Sequence, residues 1–292
     1  MKYQSVKFIV TFFAVLCLSI AAPAATKQEM GVVINLAGKQ RMLTQKMSKE
    51  VLLIAKGIDM EANKANLKAT ADLFDRTLAG LINGDSGLGL IKTESTAIVQ
   101  QLNTVADLWK TFRQNVDAVL AGDTGMGILE KIATQNMPLL KEMNKAVGMY
   151  EQESGSSLSA GMATTLNLAG KQRMLTQKMT KELLLVAMSI SLTDNQANLK
   201  TTVTLFEKTL TGLLAGDAGL GLPGNANLGL LATTEKDIQA QLMVVKTQWA
   251  AYKAILDKSE VAQDDLAKAA QINVPLLKEM NKAVQMYAGA VK

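Results

Sequence analysis

The 13-residue stretch NLAGKQRMLTQKM occupies residues 35–47 and recurs without change at residues 167–179, which is 132 positions later. A second stretch, PLLKEMNKAV, occupies residues 138–147 and recurs at residues 275–284. Matched segments that repeat in the same order along a chain indicate one structural unit written twice. The sequence between these stretches has drifted, so the unchanged segments stand out against their surroundings.

The repeats predict two tandem domains, residues 25–152 and residues 158–292. The joint between them, residues 153–157 (ESGSS), has the polar composition of a flexible linker. Hydrophobic residues make up 48% of the chain, which is enough for a substantial core, while aromatic residues make up only 4%. A composition rich in Ala, Leu and Met and poor in aromatics favours packed helices over sheets.

Each unit divides into four amphipathic segments, each long enough for a helix. Short connections place consecutive helices antiparallel to each other. We therefore predict an all-α fold of two tandem antiparallel four-helix bundles. In the first unit the predicted helices run over about residues 27–58, 61–83, 92–121 and 128–152. The last helix carries a core stripe at helical spacing: Leu139, Leu140, Met143, Ala146, Val147 and Tyr150.

Three glycine-rich loops of the form GDxGxG separate predicted helices, at residues 84–89, 122–127 and 216–221. A phosphate-binding loop is excluded because no strand precedes them and no lysine follows at the required spacing. A calcium loop is excluded because one aspartate supplies too few oxygen ligands. The first glycine of each loop is predicted to end the preceding helix in a left-handed conformation.

The composition argues against catalysis. The chain has no histidine and a single cysteine, which removes the commonest general base and the commonest transition-metal ligands. We predict a protein that is not an enzyme, with no catalytic residues, no metal site and no cofactor. The formal net charge of +5 is too small to indicate a nucleic-acid partner.

Residues 1–24 have the pattern of a secretory signal peptide. Lys2 and Lys7 precede the apolar stretch 8–20, and residues 22–24 (APA) fit a cleavage site after Ala24. Loss of these two lysines would leave a mature charge of +3. The predicted location is the periplasm, and the alternative is an uncleaved anchor helix. No later segment is apolar enough to cross a membrane.

The first predicted helix of each unit has two faces. One apolar face faces its own bundle: Leu36, Leu43, Met47 and Ile54. The opposite face is small and polar, with one arginine among glycine, threonine and glutamine: Gly38, Arg41, Thr44 and Gln45, repeated as Gly170, Arg173, Thr176 and Gln177. Small residues let a second helix approach closely, and an arginine fork suits a planar oxyanion. These eight residues are the predicted ligand-binding set.

The segment NLAGKQRMLTQKM is followed by one variable residue, Ser48 or Thr180, and then by Lys-Glu. This extended segment resembles the signature of the PilJ/NarX-type sensor domain. That domain occurs in type IV pilus chemotaxis receptors and in nitrate/nitrite sensor kinases. The resemblance implies a four-helix bundle and nitrate held where two first helices meet. It assigns the anion-binding arginine to Arg41 and Arg173, and the neighbouring glycine to Gly38 and Gly170. The sequence departs from the pattern where lysine replaces arginine, at Lys39, Lys46, Lys171 and Lys178, and where threonine replaces serine.

The leading functional hypothesis is an exported binding protein that senses a small oxyanion, with nitrate or nitrite first. The tandem units would form an intramolecular pseudo-dimer in which Arg41 and Arg173 share one anion, and a membrane sensor or chemoreceptor would be the downstream partner. Separate units that form homodimer sites are the competing arrangement. The alternative function is a helical protein–protein interaction module without ligand, which serves a membrane receptor or a pilus or chemotaxis system.

Overall fold

The computed structural model describes residues 25–154, 158–216, 230, 232–258 and 260–290. Eight α-helices and no strands occur in this part of the chain, which confirms the predicted all-α class. The helices of the first unit are α1 (Lys27–Ala55), α2 (Met60–Asn83), α3 (Thr96–Leu120) and α4 (Met126–Glu153). Those of the second unit are α5 (Ala160–Ala187), α6 (Leu192–Ala215), α7 (Lys236–Leu256) and α8 (Gln263–Gly289).

Local chemistry explains where the helices begin and end. α1 begins after Thr26, whose hydroxyl accepts a hydrogen bond from the backbone N–H of Glu29 while the Glu29 carboxylate accepts from the backbone N–H of Thr26. The first glycines of the three loops have positive φ angles of 85° (Gly84), 109° (Gly122) and 81° (Gly216). The glycines end the helices at positive φ, which glycine adopts without steric cost, but the ψ angles of Gly84 and Gly216, 149° and 161°, place these two outside the predicted left-handed helical region. Most of the third loop, residues 217–221, lies outside the described residues.

Each unit forms a bundle around an apolar core. α1 packs against α2 and α4, and α3 packs against the same two helices; α5 to α8 repeat the arrangement. Phe74 and Trp109 lie 4.3 Å apart between ring centres, and Phe206 and Trp249 lie 4.4 Å apart. The predicted stripe of α4 is buried along its whole length, so the helical periodicity identified the core correctly.

The two bundles are joined through their first helices, which pack along each other. The arginines of the two helices lie at the same level: Arg41 reaches the backbone of Asn167, and Arg173 reaches the backbone of Asn35. Further along, Asn136 bonds both Ser48 of α1 and Lys181 of α5. α1 and α5 therefore run parallel. Each of these helices is buried on two faces: one face packs on the helix's own bundle, and the opposite face packs on the other helix of the pair.

The predicted linker is only partly visible. α4 ends at Glu153 and α5 begins at Ala160, while Ser154 and Leu158 are buried and joined by a backbone hydrogen bond of 2.7 Å. Residues 155–157 lie outside the described part, as does the predicted signal peptide at residues 1–24. Within the described ranges, no helix combines the length and hydropathy needed to cross a membrane.

Candidate functional site

Two arginines lie buried between α1 and α5. Arg41 is 0% exposed and Arg173 is 1% exposed, and they are the largest fully buried side chains of the described chain. The unchanged repeat explains their placement: each follows Gly38 or Gly170 by three positions, which is about one helical turn. Because α1 and α5 are parallel, equivalent positions of the two repeats meet, and the arginines face each other across the contact.

Each guanidinium donates one hydrogen bond to an acceptor in its own bundle and one to an acceptor in the other bundle. Arg41 donates from Nη1 to Oδ1 of Asn144 at 2.8 Å and from Nη2 to the carbonyl oxygen of Asn167 at 3.1 Å. Arg173 donates from Nη1 to Oδ1 of Asn281 at 2.9 Å and from Nη2 to the carbonyl oxygen of Asn35 at 2.9 Å. The arrangement is pseudo-symmetric, as expected for a site built from a repeat.

The glycines mark the space on which the arginines converge. A Cβ at Gly38 would lie 3.4 Å from Nη2 of Arg41 and 3.6 Å from Nη2 of Arg173. A Cβ at Gly170 would lie 3.5 Å from Nη2 of Arg173 and 3.6 Å from Nη2 of Arg41. Both guanidinium groups therefore border the same small volume, which the missing side chains leave open.

The donor capacity of the arginines is incompletely used. A guanidinium has five N–H donors, and only two bonds are made by each arginine. Nε of Arg41 and Nε of Arg173 are buried without a hydrogen-bond partner. Among the described residues, neither arginine forms an ion pair with a carboxylate. Buried charges without a paired carboxylate are costly, and an anion placed between the two guanidinium groups would lower that cost.

Two lysines increase the positive charge around the arginines. Burial and then the charge of Arg173 lower the pKa of Lys39. Burial, with the charge of Arg41, lowers the pKa of Lys171 to about 8. Burial also lowers the pKa of both arginines, and Arg41 lowers that of Arg173 further. One carboxylate, Glu151, opposes these effects on Arg41 and Lys171.

The predicted threonines and glutamines belong to a second polar layer. The hydroxyls of Thr44 and Thr176 donate to the backbone carbonyls of Arg41 and Arg173, both at 2.8 Å. Gln45 donates to Asn136 at 2.8 Å, and the equivalent Gln177 donates to Asn273 at 2.7 Å. No hydrogen bond joins these four side chains to a guanidinium among the described contacts. The structure thus brings together four of the eight predicted residues: Gly38, Arg41, Gly170 and Arg173.

The second layer also contains two buried lysines that cross between the bundles. Lys49 of α1 donates to Oδ1 of Asn273 on α8 at 2.9 Å, and Lys181 of α5 donates to Oδ1 of Asn136 on α4 at 3.2 Å. Burial lowers the pKa of each lysine to about 8. The lysines lie eight residues beyond the arginines, which corresponds to about 12 Å along the helix. This layer links the bundles separately from the arginine pair.

Sequence reasoning missed the asparagines that hold the arginines. Asn144 lies outside the predicted core stripe of α4 and is exposed, yet its amide oxygen accepts from Arg41. The available signal was the exact repeat of residues 138–147 at 275–284, which includes Asn144 and Asn281.

The fold and the site define a class: a helical domain whose first helix supplies a polar arginine face to a parallel partner helix, here in two copies. The chain belongs to the PilJ family, described as the N-terminal part of type IV pili methyl-accepting chemotaxis transducers; the family model matches residues 24–132 and 156–274. This confirms the family resemblance carried by the repeated segment. Members of this kind are sensor domains rather than enzymes, in agreement with the prediction of a non-enzyme.

Two individual proteins are similar to parts of the chain. The chain is 27% identical over 159 residues to the methyl-accepting chemotaxis protein McpN of Pseudomonas aeruginosa, a match that covers 53% of this chain. The chain spans 29% of the length of that receptor. A solved structure, the ligand-binding domain of the P. aeruginosa nitrate receptor McpN, is 30% identical, with a TM-score of 0.37; the match covers 42% of this chain and 96% of that domain.

Proposed function

We propose that the protein is an exported sensor-type binding protein for a small oxyanion, with nitrate first and nitrite second. The observation that carries the proposal is the pair of buried arginines that converge beside Gly38 and Gly170 without a paired carboxylate. A planar anion between the guanidinium groups would relieve their mutual repulsion and use N–H donors that the protein leaves free. The nitrate receptor named among the comparisons supports the choice of ligand.

The expected affinity follows from the number of donors. Hydrogen bonds to charged groups contribute about 1.5–3 kcal/mol each. Four such bonds, two from each arginine, give about 6–12 kcal/mol before the costs of ordering and desolvation. A net free energy of about 5–7 kcal/mol corresponds to a Kd of roughly 10–200 μM. This range suits a sensor whose ligand varies in concentration in the periplasm.

The pseudo-dimer explains why two units occur in one chain. Arg41 and Arg173 contribute equivalent halves to one site, so a single chain supplies what the family resemblance implies for two protomers. The small polar face of α1, which the interaction-module alternative would offer to a partner, is occupied by α5. Export through residues 1–24 would place the protein in the periplasm, where a membrane chemoreceptor is the proposed recipient of its ligand state.

The test is a calorimetric titration of the protein lacking residues 1–24 with nitrate, nitrite and chloride, together with thermal unfolding at about 10 mM of each salt. Nitrate at about 100 times its Kd should stabilise the folded state by about 2.7 kcal/mol, and chloride should have a much smaller effect. Absence of both heat and a thermal shift with nitrate and nitrite would overturn the proposal. Self-association without any anion effect would favour the interaction-module alternative.

A further inference from the structure

The two halves of the arginine site differ by one carboxylate. Glu151, near the end of α4, accepts a hydrogen bond from the hydroxyl of Thr164 at 2.8 Å and from Nδ2 of Asn167 at 2.5 Å. Asn167 is the residue whose backbone carbonyl accepts from Arg41. The carboxylate is therefore fixed beside the half of the site that contains Arg41, and its charge acts on Arg41 and on Lys171.

The other half has no equivalent. Aligning residues 138–147 with 275–284 places Ala288 where the first unit has Glu151. Aligning residues 35–47 with 167–179 places Val32 where the second unit has Thr164, the residue that anchors the carboxylate. The pKa of Arg173 is lowered by burial and by the charge of Arg41, and no carboxylate among the described residues opposes this effect. The second half of the site thus lacks both the carboxylate and the residue that anchors it. One fixed negative charge therefore lies at a site with four cationic side chains: Arg41, Arg173, Lys39 and Lys171.

We propose that Glu151 determines the charge selectivity of the anion site. This inference rests on the proposed function. A fixed carboxylate repels a bound anion with an energy proportional to the charge of the anion. The repulsion of a dianion is therefore twice that of a monoanion, and the corresponding loss in the binding constant is squared. Glu151 lowers the affinity for nitrate modestly and lowers the affinity for sulfate strongly, which reserves the site for singly charged oxyanions.

The hydrogen bonds of Glu151 make it suited to this role. Thr164 and Asn167 hold the carboxylate in one position on α5, so its distance from the arginines does not depend on a mobile side chain. At a separation of several ångströms and an intermediate dielectric, one unit of charge changes the binding of a monoanion by about fivefold.

The experiment is a calorimetric titration of wild type and Glu151→Gln with nitrate and with sulfate. Glutamine removes the charge and keeps the size: its oxygen can accept from Nδ2 of Asn167, and its NH2 group can donate to the hydroxyl of Thr164. We expect nitrate to bind about fivefold more tightly to the variant and sulfate about 25-fold more tightly. Glu153→Gln, an exposed change on the same helix with the same change in net charge, is the matched control and should change neither affinity. Ala288→Glu should weaken nitrate binding.

The outcomes separate this inference from the proposed function. If neither wild type nor Glu151→Gln binds nitrate, both are overturned. If wild type binds nitrate and Glu151→Gln binds it no more tightly than Glu153→Gln does, the anion site stands and the role of Glu151 is overturned. A gain for nitrate without a larger gain for sulfate, including sulfate that stays unbound at about 10 mM, contradicts charge selectivity.

Discussion

The guanidinium of Arg41 donates a hydrogen bond to the backbone carbonyl of Asn167, which lies 126 positions later in the second repeat. Arg173 donates the equivalent hydrogen bond to the backbone carbonyl of Asn35 in the first repeat. Each arginine thus belongs to one bundle and donates to a backbone carbonyl of the other. The contact between α1 and α5 therefore contributes to the position of both guanidinium groups. Any ligand that draws on both guanidinium groups therefore acts on the packing of the two bundles, which is the property a sensor needs.

Gly38→Ala separates binding from folding. The new Cβ would lie 3.4 Å from Nη2 of Arg41, an ordinary contact distance, but it would occupy the space that both guanidinium groups border. Because alanine is favoured over glycine inside a helix by about 1 kcal/mol, we expect the melting temperature to be kept or raised and nitrate affinity to fall at least about tenfold. The control is Gly148→Ala in α4, where a Cβ meets nothing within 4 Å. Equal nitrate affinity in the two variants would place the anion elsewhere.

Asn144→Asp tests whether the arginine lacks a counter-charge. The change is nearly isosteric, and it places a carboxylate where an amide oxygen accepts from Arg41 at 2.8 Å. We expect higher thermal stability, since the aspartate would turn the existing hydrogen bond into an ion pair with a buried arginine that has no paired carboxylate. We also expect nitrate affinity to fall at least about tenfold, because the new carboxylate competes with the ligand. Asn103→Asp on the exposed surface of α3 is the control. Nitrate affinity that survives Asn144→Asp would contradict the role of Arg41.

The buried lysines of the second layer predict an unusual pH dependence. The pKa of Lys49 and of Lys181 is about 8 in the folded protein and about 10.5 in the unfolded chain. Between these values the unfolded chain binds more protons, so the free energy of unfolding rises with pH. The cost of burying the charged lysines is fully present below about pH 8 and is relieved above it. The slope should approach about 1.4 kcal/mol per pH unit for each lysine.

Denaturant unfolding between pH 7.5 and 9.5 measures this slope. The double variant Lys49→Met and Lys181→Met should be more stable than wild type at pH 7.5 and should show a flatter dependence on pH. Asn136 and Asn273 would still accept from Gln45 and Gln177, so the change leaves no new unpaired oxygen. Lys141→Met, on the exposed side of α4, should leave the slope unchanged. Lys171, whose pKa is also lowered to about 8, keeps part of the slope in the double variant. A slope as steep as that of wild type would assign it to groups other than Lys49 and Lys181.

Lys171 makes nitrate binding depend on pH as well. Its pKa is lowered to about 8 by burial and by Arg41, so its charge is lost as the pH rises through that value. A nearby cation that disappears weakens an anion complex, and bound nitrate in turn favours the charged lysine. We expect nitrate affinity measured by calorimetry to fall severalfold between pH 7 and pH 9, and to fall less in Lys171→Gln. An affinity that rises over this interval would contradict the account.

Local patterns predicted much of the fold. The helices begin and end within a few residues of their predicted bounds, because periodicity, glycines and caps act within a few residues along the chain. The repeated small face of α1 identified both Arg41 and Gly38, since a polar stripe without lysine–glutamate pairs is unusual on a solvated helix. The exact duplication then brought the equivalent residues of α5 to the same contact.

Contacts between helices were less predictable. Periodicity gives the direction of a side chain around its own helix, but not which residue of another helix it meets. Thr44 and Gln45 were therefore expected beside the arginine, whereas they bond the backbone of their own helix and Asn136. Asn144 was missed for the same reason: it is exposed, so its contact with Arg41 leaves no apolar pattern. Glu151 was missed because the second repeat has Ala288 at the equivalent position, and a comparison of the two repeats draws attention only to residues that they share.

The measurement that tests the shared site most directly is calorimetric titration of nitrate into wild type, Arg41→Met and Arg173→Met. Methionine keeps a long side chain and removes the charge, and Arg76→Met, an exposed arginine paired with Asp85, is the control. The account predicts one nitrate per chain for wild type and for Arg76→Met, and loss of binding in each of the other two variants. Two nitrates per chain, or normal binding by either Arg41→Met or Arg173→Met, would contradict a single anion held between the two repeats.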